Sequence, residues 1–410
     1  MKITRIIHPI GQGGFYSETL KEGGQEITVV YDCGGNSKSF MENYLENFFP
    51  KIDEKPEKKK NKKQSGSEKT IDAVFISHLH EDHVNGLDYL LNQFHVKYLI
   101  LPELTEDEKL ETYLHNFIKN PESVGNQLIR DIYYRDYSYY LNSRTRIIIV
   151  PHYDLDTDET PDDHDNNREV LFDDSRDLNL AEEENTRINR LSPGSKVHFD
   201  KKWVYIPFNP PVMKKQQDSF VDFFKDRLSL RSISIEDLPD IIKAKGVKKC
   251  KKVYTDYFRN DHNSYSMTLF SGVLNDEDFE RFIEYQWRRI DRRIKYGYPF
   301  PGPYCCHCFN PNCLYMGDFE TKGHLRLLKS YYGSIWEIIG QIQVPHHGSS
   351  YNHLEDLYEY AMCGFISAGE GNKYYHPNLD TLMGIKEMGC EPIIVNENMS
   401  TIKVIHAADK

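Results

Sequence analysis

The sequence has no apolar run approaching the ~18 residues needed to cross a bilayer, which excludes a helical membrane span. Its opening, Met1-Lys2-Ile3-Thr4-Arg5-Ile6-Ile7-His8, breaks its short apolar stretch at His8 and Gly11, so no secretory leader is expected. Cysteine is sparse. The eight lie at positions 33, 250, 305, 306, 308, 313, 363 and 390, without the spread of a disulfide framework, and are expected as reduced thiols, some of them metal-bound. Basic residues are in deficit: 51 Lys+Arg against 63 Asp+Glu give a net charge of -12. That balance excludes a protein that coats nucleic acid indiscriminately, while leaving room for a local basic patch. There is no internal repeat at a period of about 20–50 residues. What is present, 39% hydrophobic and 13% aromatic residues in 410, excludes a wholly disordered chain and suffices for a sizeable core. The expectation is a soluble, cytoplasmic, globular protein.

Strand-like and helix-like segments alternate. Ile27–Tyr31, Ile71–Ile76, Arg146–Val150, Lys202–Ile206, Met267–Phe270 and Leu314–Met316 read as strands, as does the run Ile338–Val344. Leu87, Leu90, Leu91 and Phe94 predict a helix that begins near Val84, and residues 106–142 and 216–245 also read as helical. A charged helix is predicted over 276–295. Residues 51–70 are lysine-dense with Pro, Ser and Gly and read as a flexible loop. The stretch 153–190 is strongly acidic and aperiodic. These segments predict one domain over 1–410 with insertions at 51–70, 103–143, 153–190, 212–250 and 274–313.

The sharpest feature is His78-x-His80-x-Asp82-His83, directly after the strand 71–76. In an extended segment alternate side chains face one way, so 78, 80 and 82 are predicted to converge, with His83 reaching the same pocket from the following helix. Imidazoles with a carboxylate suit divalent zinc, manganese or iron. With 17 His among 410 residues, three at these spacings arise by chance about 0.03 times per chain.

His78-Leu79-His80-Glu81-Asp82-His83 resembles the signature of the metallo-β-lactamase fold, and further matches follow in that family's order. Asp32-Cys33-Gly34 is similar to its early Asp-x-Gly, Tyr315-Met316-Gly317-Asp318 to its Gly-Asp, and His346-His347-Gly348-Ser349 to its late His motif. A finer resemblance is to the hydrolase domain of ComEC-type DNA-uptake proteins and their free-standing relatives. It is carried by Gly11-Gln12-Gly13, by His346-His347-Gly348-Ser349 and by Asn372-Lys373-Tyr374-Tyr375-His376-Pro377, although Gly14 stands where many such chains have Asp. The resemblance implies a four-layer αββα sandwich, an α/β fold, with two divalent metal ions (zinc or manganese). It places His78 and His80 on the first ion, Asp82, His83 and His346 on the second, and Asp318 between them, with Asp32 bracing the site. For the first ion's third ligand, His262 or Asn263 is favoured, His152 is the alternative, and no protein ligand a further one. His347 is left either to catalysis or to a structural role under the site.

Such a pair of ions implies hydrolysis by a metal-bridged hydroxide, with Asp82, His347, His376 and Asn372 as candidate catalytic residues and His376 as proton donor or phosphate contact. The ComEC-type resemblance implies phosphodiester substrates, DNA or RNA. Arg281, Arg288 and Arg292 on one face of the predicted helix 276–295, with Trp287 adjoining, suit phosphate contacts and base stacking, though the same helix also reads as a solvated face of i,i+4 ion pairs. Cys305, Cys308 and Cys313 could hold a structural zinc. Two alternatives stay open: a small-molecule hydrolase of the same fold (phosphoester, lactone or thioester), and a partner-gated scaffold with a latent hydrolase core whose insertions bind another protein.

Overall fold

A strand covered on both faces shows apolar residues at consecutive positions, with neighbours pointing to opposite layers. Residues 98–101 and 147–150 carry that pattern, and their fates define the architecture. The computed structural model describes residues 1–49, 69–133, 145–156, 169–171, 188–192, 194–198, 202–212, 219–258, 266–274 and 310–408. The strands in chain order are β1 (Lys2–Ile7), β2 (Phe15–Glu22), β3 (Gln25–Cys33), β4 (Thr70–Phe75), β5 (His95–Pro102), β6 (Arg146–Val150), β7 (Glu169–Leu171) and β8 (Ile188–Arg190). They continue with β9 (Lys196–His198), β10 (Val204–Phe208), β11 (Thr268–Gly272), β12 (Cys313–Tyr315), β13 (Gln341–Gln343), β14 (Cys363–Ser367), β15 (Glu391–Val395) and β16 (Lys403–Ala408). The helices are α1 (Lys38–Asn47), α2 (Glu81–Val84), α3 (Leu87–Gln93), α4 (Glu106–Lys119), α5 (Val124–Tyr133), α6 (Phe220–Leu228), α7 (Leu238–Lys245), α8 (Val247–Phe258), α9 (Thr321–Tyr332) and α10 (Leu379–Glu387). No described helix is long and apolar enough to cross a membrane.

Two mixed sheets result. One runs β16-β1-β2-β3-β4-β5-β6-β8 and the other β15-β14-β13-β12-β11-β10-β9-β7. Between them lie the inward residues, among them Tyr98, Ile100, Ile148 and Val150 from the first sheet against Tyr205, Leu269, Tyr315 and Phe365 from the second. Leu99, Leu101, Ile147 and Ile149 point the other way, onto a helical layer that contains α1 and α3 to α8. The opposite face of the second sheet is covered by α9 and α10. This is the four-layer αββα sandwich.

One charged cluster is enclosed between the sheets. Arg5 on β1 and Glu18 on β2 are each 2% exposed, and Arg5 Nη2 stands 2.6 Å from Glu18 Oε1. Glu18 also accepts hydrogen bonds from Tyr315 (2.8 Å), Ser271 (2.6 Å) and Tyr205 (2.9 Å) of the opposite sheet. Arg5 donates in turn to the Pro311 carbonyl (2.6 Å) and to Gln341 (2.9 Å). Burial would raise the Glu18 pKa, but the Arg5 guanidinium and the hydroxyl donors more than offset it and hold the carboxyl below its usual value.

Local differences from the predicted elements have local causes. The helix expected over 106–142 breaks after Lys119, where Pro121 disfavours a helical Asn120 and has no N–H to donate. The helix expected from Val84 divides into α2 and α3 at Asn85-Gly86. There the Asn85 amide donates to the Gly35 carbonyl (2.7 Å) and Gly86 N–H to the Cys33 carbonyl (2.8 Å). Residues 338–344 form strand only at Gln341–Gln343, after a 3-10 turn at Gly333–Ile338. The lysine-dense loop 51–68 and most of the acidic stretch 153–190 lie outside the described residues.

Candidate metal centre

β3, β4, β12, β13 and β14 all deliver the residues that follow their C-terminal ends to one edge of the sandwich. Tyr31 donates to the Met267 carbonyl (2.7 Å) and Met267 N–H to the Ser77 carbonyl (2.8 Å), tying the two sheets together there.

Asp318 is the hub of that edge. It is 3% exposed, and three imidazoles face it. His78 Nε2 lies 3.9 Å from its Oδ2, while His83 Nε2 (3.3 Å) and His347 Nε2 (3.6 Å) lie against its Oδ1. His347 Nε2 is also 3.7 Å from Asp82 Oδ2. The ligand-capable atoms of His78, His83 and Asp318 lie within 4.8 Å of one another, as do those of Asp82, His83 and His347.

The other nitrogen of each ring is held from behind. His83 Nδ1 meets Asp32 Oδ2 at 2.8 Å, His347 Nδ1 meets the Ser367 carbonyl at 2.9 Å, and His78 Nδ1 lies 2.9 Å from both Ser77 Oγ and Ser266 Oγ. Asp32, in the left-handed region at φ 56, also accepts from Ser77 N–H (2.7 Å) and Ser77 Oγ (2.8 Å). The turn that presents Asp318 is pinned by Gln343. Its Oε1 accepts from Met316 N–H (2.7 Å) and Gly317 N–H (2.6 Å), and Ser266 Oγ accepts from Asp318 N–H (2.9 Å). Gly317 is required there: its φ is 54, and a Cβ would stand 2.6 Å from Ser77.

The electrostatics follow from burial plus crowding. Burial would raise Asp318 and Asp82, but His346, His83 and His347 hold Asp318, and Lys119 and His347 hold Asp82, well below the usual carboxylate range. Burial alone would lower His83, yet Asp318 and Asp32 on either side push it well above its ordinary value. The Nε2 atoms of His78, His83 and His347 are buried and make no hydrogen bond. Buried imidazole nitrogens braced at Nδ1 and aimed at shared carboxylates fit a divalent ion of the zinc, manganese or iron kind.

The structure departs from the sequence-based expectations in several places. Asp82 is not in an extended run: His80 is the N-cap of α2, so Asp82 and His83 are already helical. His80 turns to a different neighbour, with its Nε2 3.7 Å from Glu111 Oε2 on α4. His347 Nε2 stands 3.6 Å from Asp318 Oδ1 and 3.7 Å from Asp82 Oδ2, and the neighbouring His346 also acts electrostatically on both carboxylates. His346 Nδ1 lies 3.2 Å from the Asn352 amide, which can only donate to it, leaving the proton on Nε2. His152 does not reach the pocket, because its Nδ1 is bound to the Pro210 carbonyl (2.7 Å) and its Nε2 to Glu108 (3.1 Å). Asn372 builds its own loop, accepting from Tyr374 and His376 N–H and donating to the Gly369 carbonyl. His376 does flank the pocket, its ring 5.9 Å from that of His346. Burial, with His346 and His347 nearby, lowers its pKa to about 4, which makes it a neutral imidazole at pH 7. Cys313 sits on β12 in the inter-sheet core, where burial pushes its thiol up to about 12. His262, Asn263, Arg281, Trp287, Arg288, Arg292, Cys305 and Cys308 lie outside the described residues.

Ser266, Gln343, Glu111 and His115 escaped the sequence reading. Only the last two left a trace, an i,i+4 Glu/His pair on a helix that reads as amphipathic.

Residues 22–171 match the Metallo-beta-lactamase superfamily. The matched segment contains Asp32, the His78–His83 motif and α4, whereas Asp318 and His347 reach the pocket from beyond it. No curated protein matches the chain. Among solved structures, unliganded yeast PDE1 aligns over 99% of each chain at 11% identity and a TM-score of 0.36, a likeness too loose to argue from.

Proposed function

We propose that this chain is a metal-dependent hydrolase of phosphodiester bonds, with DNA or RNA as its substrate class. The carrying observation is the convergence on Asp318, whose Oδ2 faces His78 while its Oδ1 faces His83 and His347. Asp318 with His78 would hold one ion, and Asp318 with Asp82, His83 and His347 would hold a second. When bound, two such ions would supply a nucleophile at neutral pH and neutralise charge on the phosphoryl group.

The chain's own residues do the rest. Asp32 and the Ser367 carbonyl orient His83 and His347, fixing the tautomer that presents Nε2. His376 offers a neutral ring at the pocket's rim, suited to a hydrogen bond with a phosphate oxygen. Tyr374 stacks on it with ring centroids 5.8 Å apart, Lys373 stands over the Tyr374 ring, and Tyr375 next to it is 85% exposed. Exposed rings with a cation beside a phosphate-handling pocket suit the stacking of a nucleobase, which favours a nucleic acid over a small ester.

Purified protein with Mn²⁺ or Zn²⁺ is assayed on single- and double-stranded DNA, RNA, cyclic nucleotides and a lactone and thioester panel. Turnover of phosphodiesters that disappears in Asp318→Asn is the expected result. Metal bound in stoichiometric amount with no phosphodiester cleaved rejects it, and cleavage confined to the lactone or thioester arm assigns the small-molecule reading instead.

A further inference from the structure

We propose that His80, Glu111 and His115 hold a divalent cation, so that the helical layer over the first sheet supplies two of the ligands at the position of His80. The ligand-capable atoms of these three residues lie within 4.8 Å of one another. His80 and Glu111 are 3% and 2% exposed, their nearest nitrogen and oxygen are 3.7 Å apart, and the His80 and His115 rings stack at 4.0 Å. Glu111 and His115 are one turn apart on α4 and therefore share a face.

The placement of α4 against His80 is built. Asn116, on the same helix, donates to the Leu79 carbonyl (2.7 Å) and accepts from Glu81 N–H (3.1 Å), clamping the backbone on both sides of His80. Gly125, just after the α4–α5 turn, permits that approach: a Cβ there would meet the Leu79 carbonyl oxygen at 2.1 Å. The capping box of Thr105 and Glu108 fixes the start of the helix.

A single phenol sets the protonation of both α4 ligands. Tyr254 on α8 donates its proton to Glu111 Oε1 (2.8 Å). Its oxygen, 3.1 Å from His115 Nδ1, is then left to accept, which puts the ring proton on Nδ1 and the lone pair on Nε2. That is the form a metal takes, and a hydrogen-bonded carboxylate with an oriented imidazole is the usual support behind a ligand set. Two imidazoles and one glutamate make a three-ligand site of the zinc type with a position to spare. Ligand atoms of tetrahedral zinc stand about 3.3 Å apart, from bonds of about 2.0–2.1 Å, so the three side chains close inward and the stacked rings fan apart on binding. The proposal rests on the pocket being metal-binding but not on its acting on phosphodiesters.

Metal-stripped full-length protein is titrated with Co²⁺, following visible absorption, and bound Zn²⁺ is counted after desalting. Glu111→Gln with His115→Ala is expected to take up one equivalent fewer than the unaltered chain. Tyr254→Phe should keep the stoichiometry but weaken that equivalent about 10–100-fold. Asp318→Asn should lose other equivalents and retain this one. Circular dichroism melts in chelator check folding, and should the double variant fail to fold, His115→Ala alone decides, since it trims a partly exposed ring. Unchanged equivalents and midpoints in the folded variant overturn the proposal. No metal bound by the unaltered chain overturns both this and the hydrolase reading. The α4 equivalent present without phosphodiester turnover removes only the latter.

Discussion

Replacing Glu18 by alanine tests how the two sheets are held together by the buried charge cluster between them. The change leaves the Arg5 guanidinium, 2% exposed, without its carboxylate, and withdraws the acceptor from Tyr205, Ser271 and Tyr315. Breaking one side of a buried ion pair costs about 3–5 kcal/mol, because the remaining charge is neither solvated nor paired. Unfolding entropy of about 2.1 cal/mol/K per residue, over 410 residues, gives about 0.86 kcal/mol/K, so the melting temperature should fall by about 3.5–6 °C. Arg5 keeps its bonds to the Pro311 carbonyl and Gln341, which favours the lower end. The double change Arg5→Met with Glu18→Met removes both charges and should recover most of the loss. Differential scanning calorimetry of the three proteins in chelator reads the effect free of metal binding. A Glu18→Ala protein melting within about 1 °C of the unaltered chain, or a double variant no better than the single, refutes the reasoning.

His8 is fully buried between Tyr44, Ser17 and the Phe15 ring, and burial lowers its pKa to about 3. The unfolded chain therefore binds the extra proton first. Its contribution is intact above about pH 6.5 and lost toward pH 3, with a slope approaching about 1.4 kcal/mol per pH unit, and His8→Gln should flatten urea midpoints measured between pH 6 and 4. His347→Ala should weaken Co²⁺ binding by at least about 100-fold and His346→Ala by much less; equal losses would mean that both rings ligate. A Cβ on Gly14 would lie 2.7 Å from Asp32 Oδ2 and 2.9 Å from His83 Nδ1, so Gly14→Ala should weaken the metal about 10–100-fold by displacing that brace, as read by the same titration.

How much was legible follows the range of the forces involved. Strand cores such as Ile147–Val150 and the helical spacing of Leu87, Leu90 and Leu91 announce themselves, because a two- or three-residue period is a local consequence of burying one face. The helix break at Pro121 is equally local, set by the missing N–H and the restricted Asn120. The roles of His346 and His347 could not be separated by spacing, since adjacent positions differ only in which backbone carbonyl or amide waits behind each ring. Those partners, Ser367 and Asn352, stand 20 and 6 residues away from the rings they meet.

Residue type and local period therefore determined the alternation of strands and helices and the chemistry of a motif rich in imidazole and carboxylate, while the αββα layering was implied by the resemblance of its motifs and is what the two packed sheets show. Tertiary structure alone decided that Asp318 lies among three rings, that Cys313 is sealed between sheets, and that His80 faces Glu111 and His115. A side chain's identity travels with the chain, whereas its ligand geometry depends on hydrogen bonds to groups that are remote in sequence and adjacent only after the layers pack.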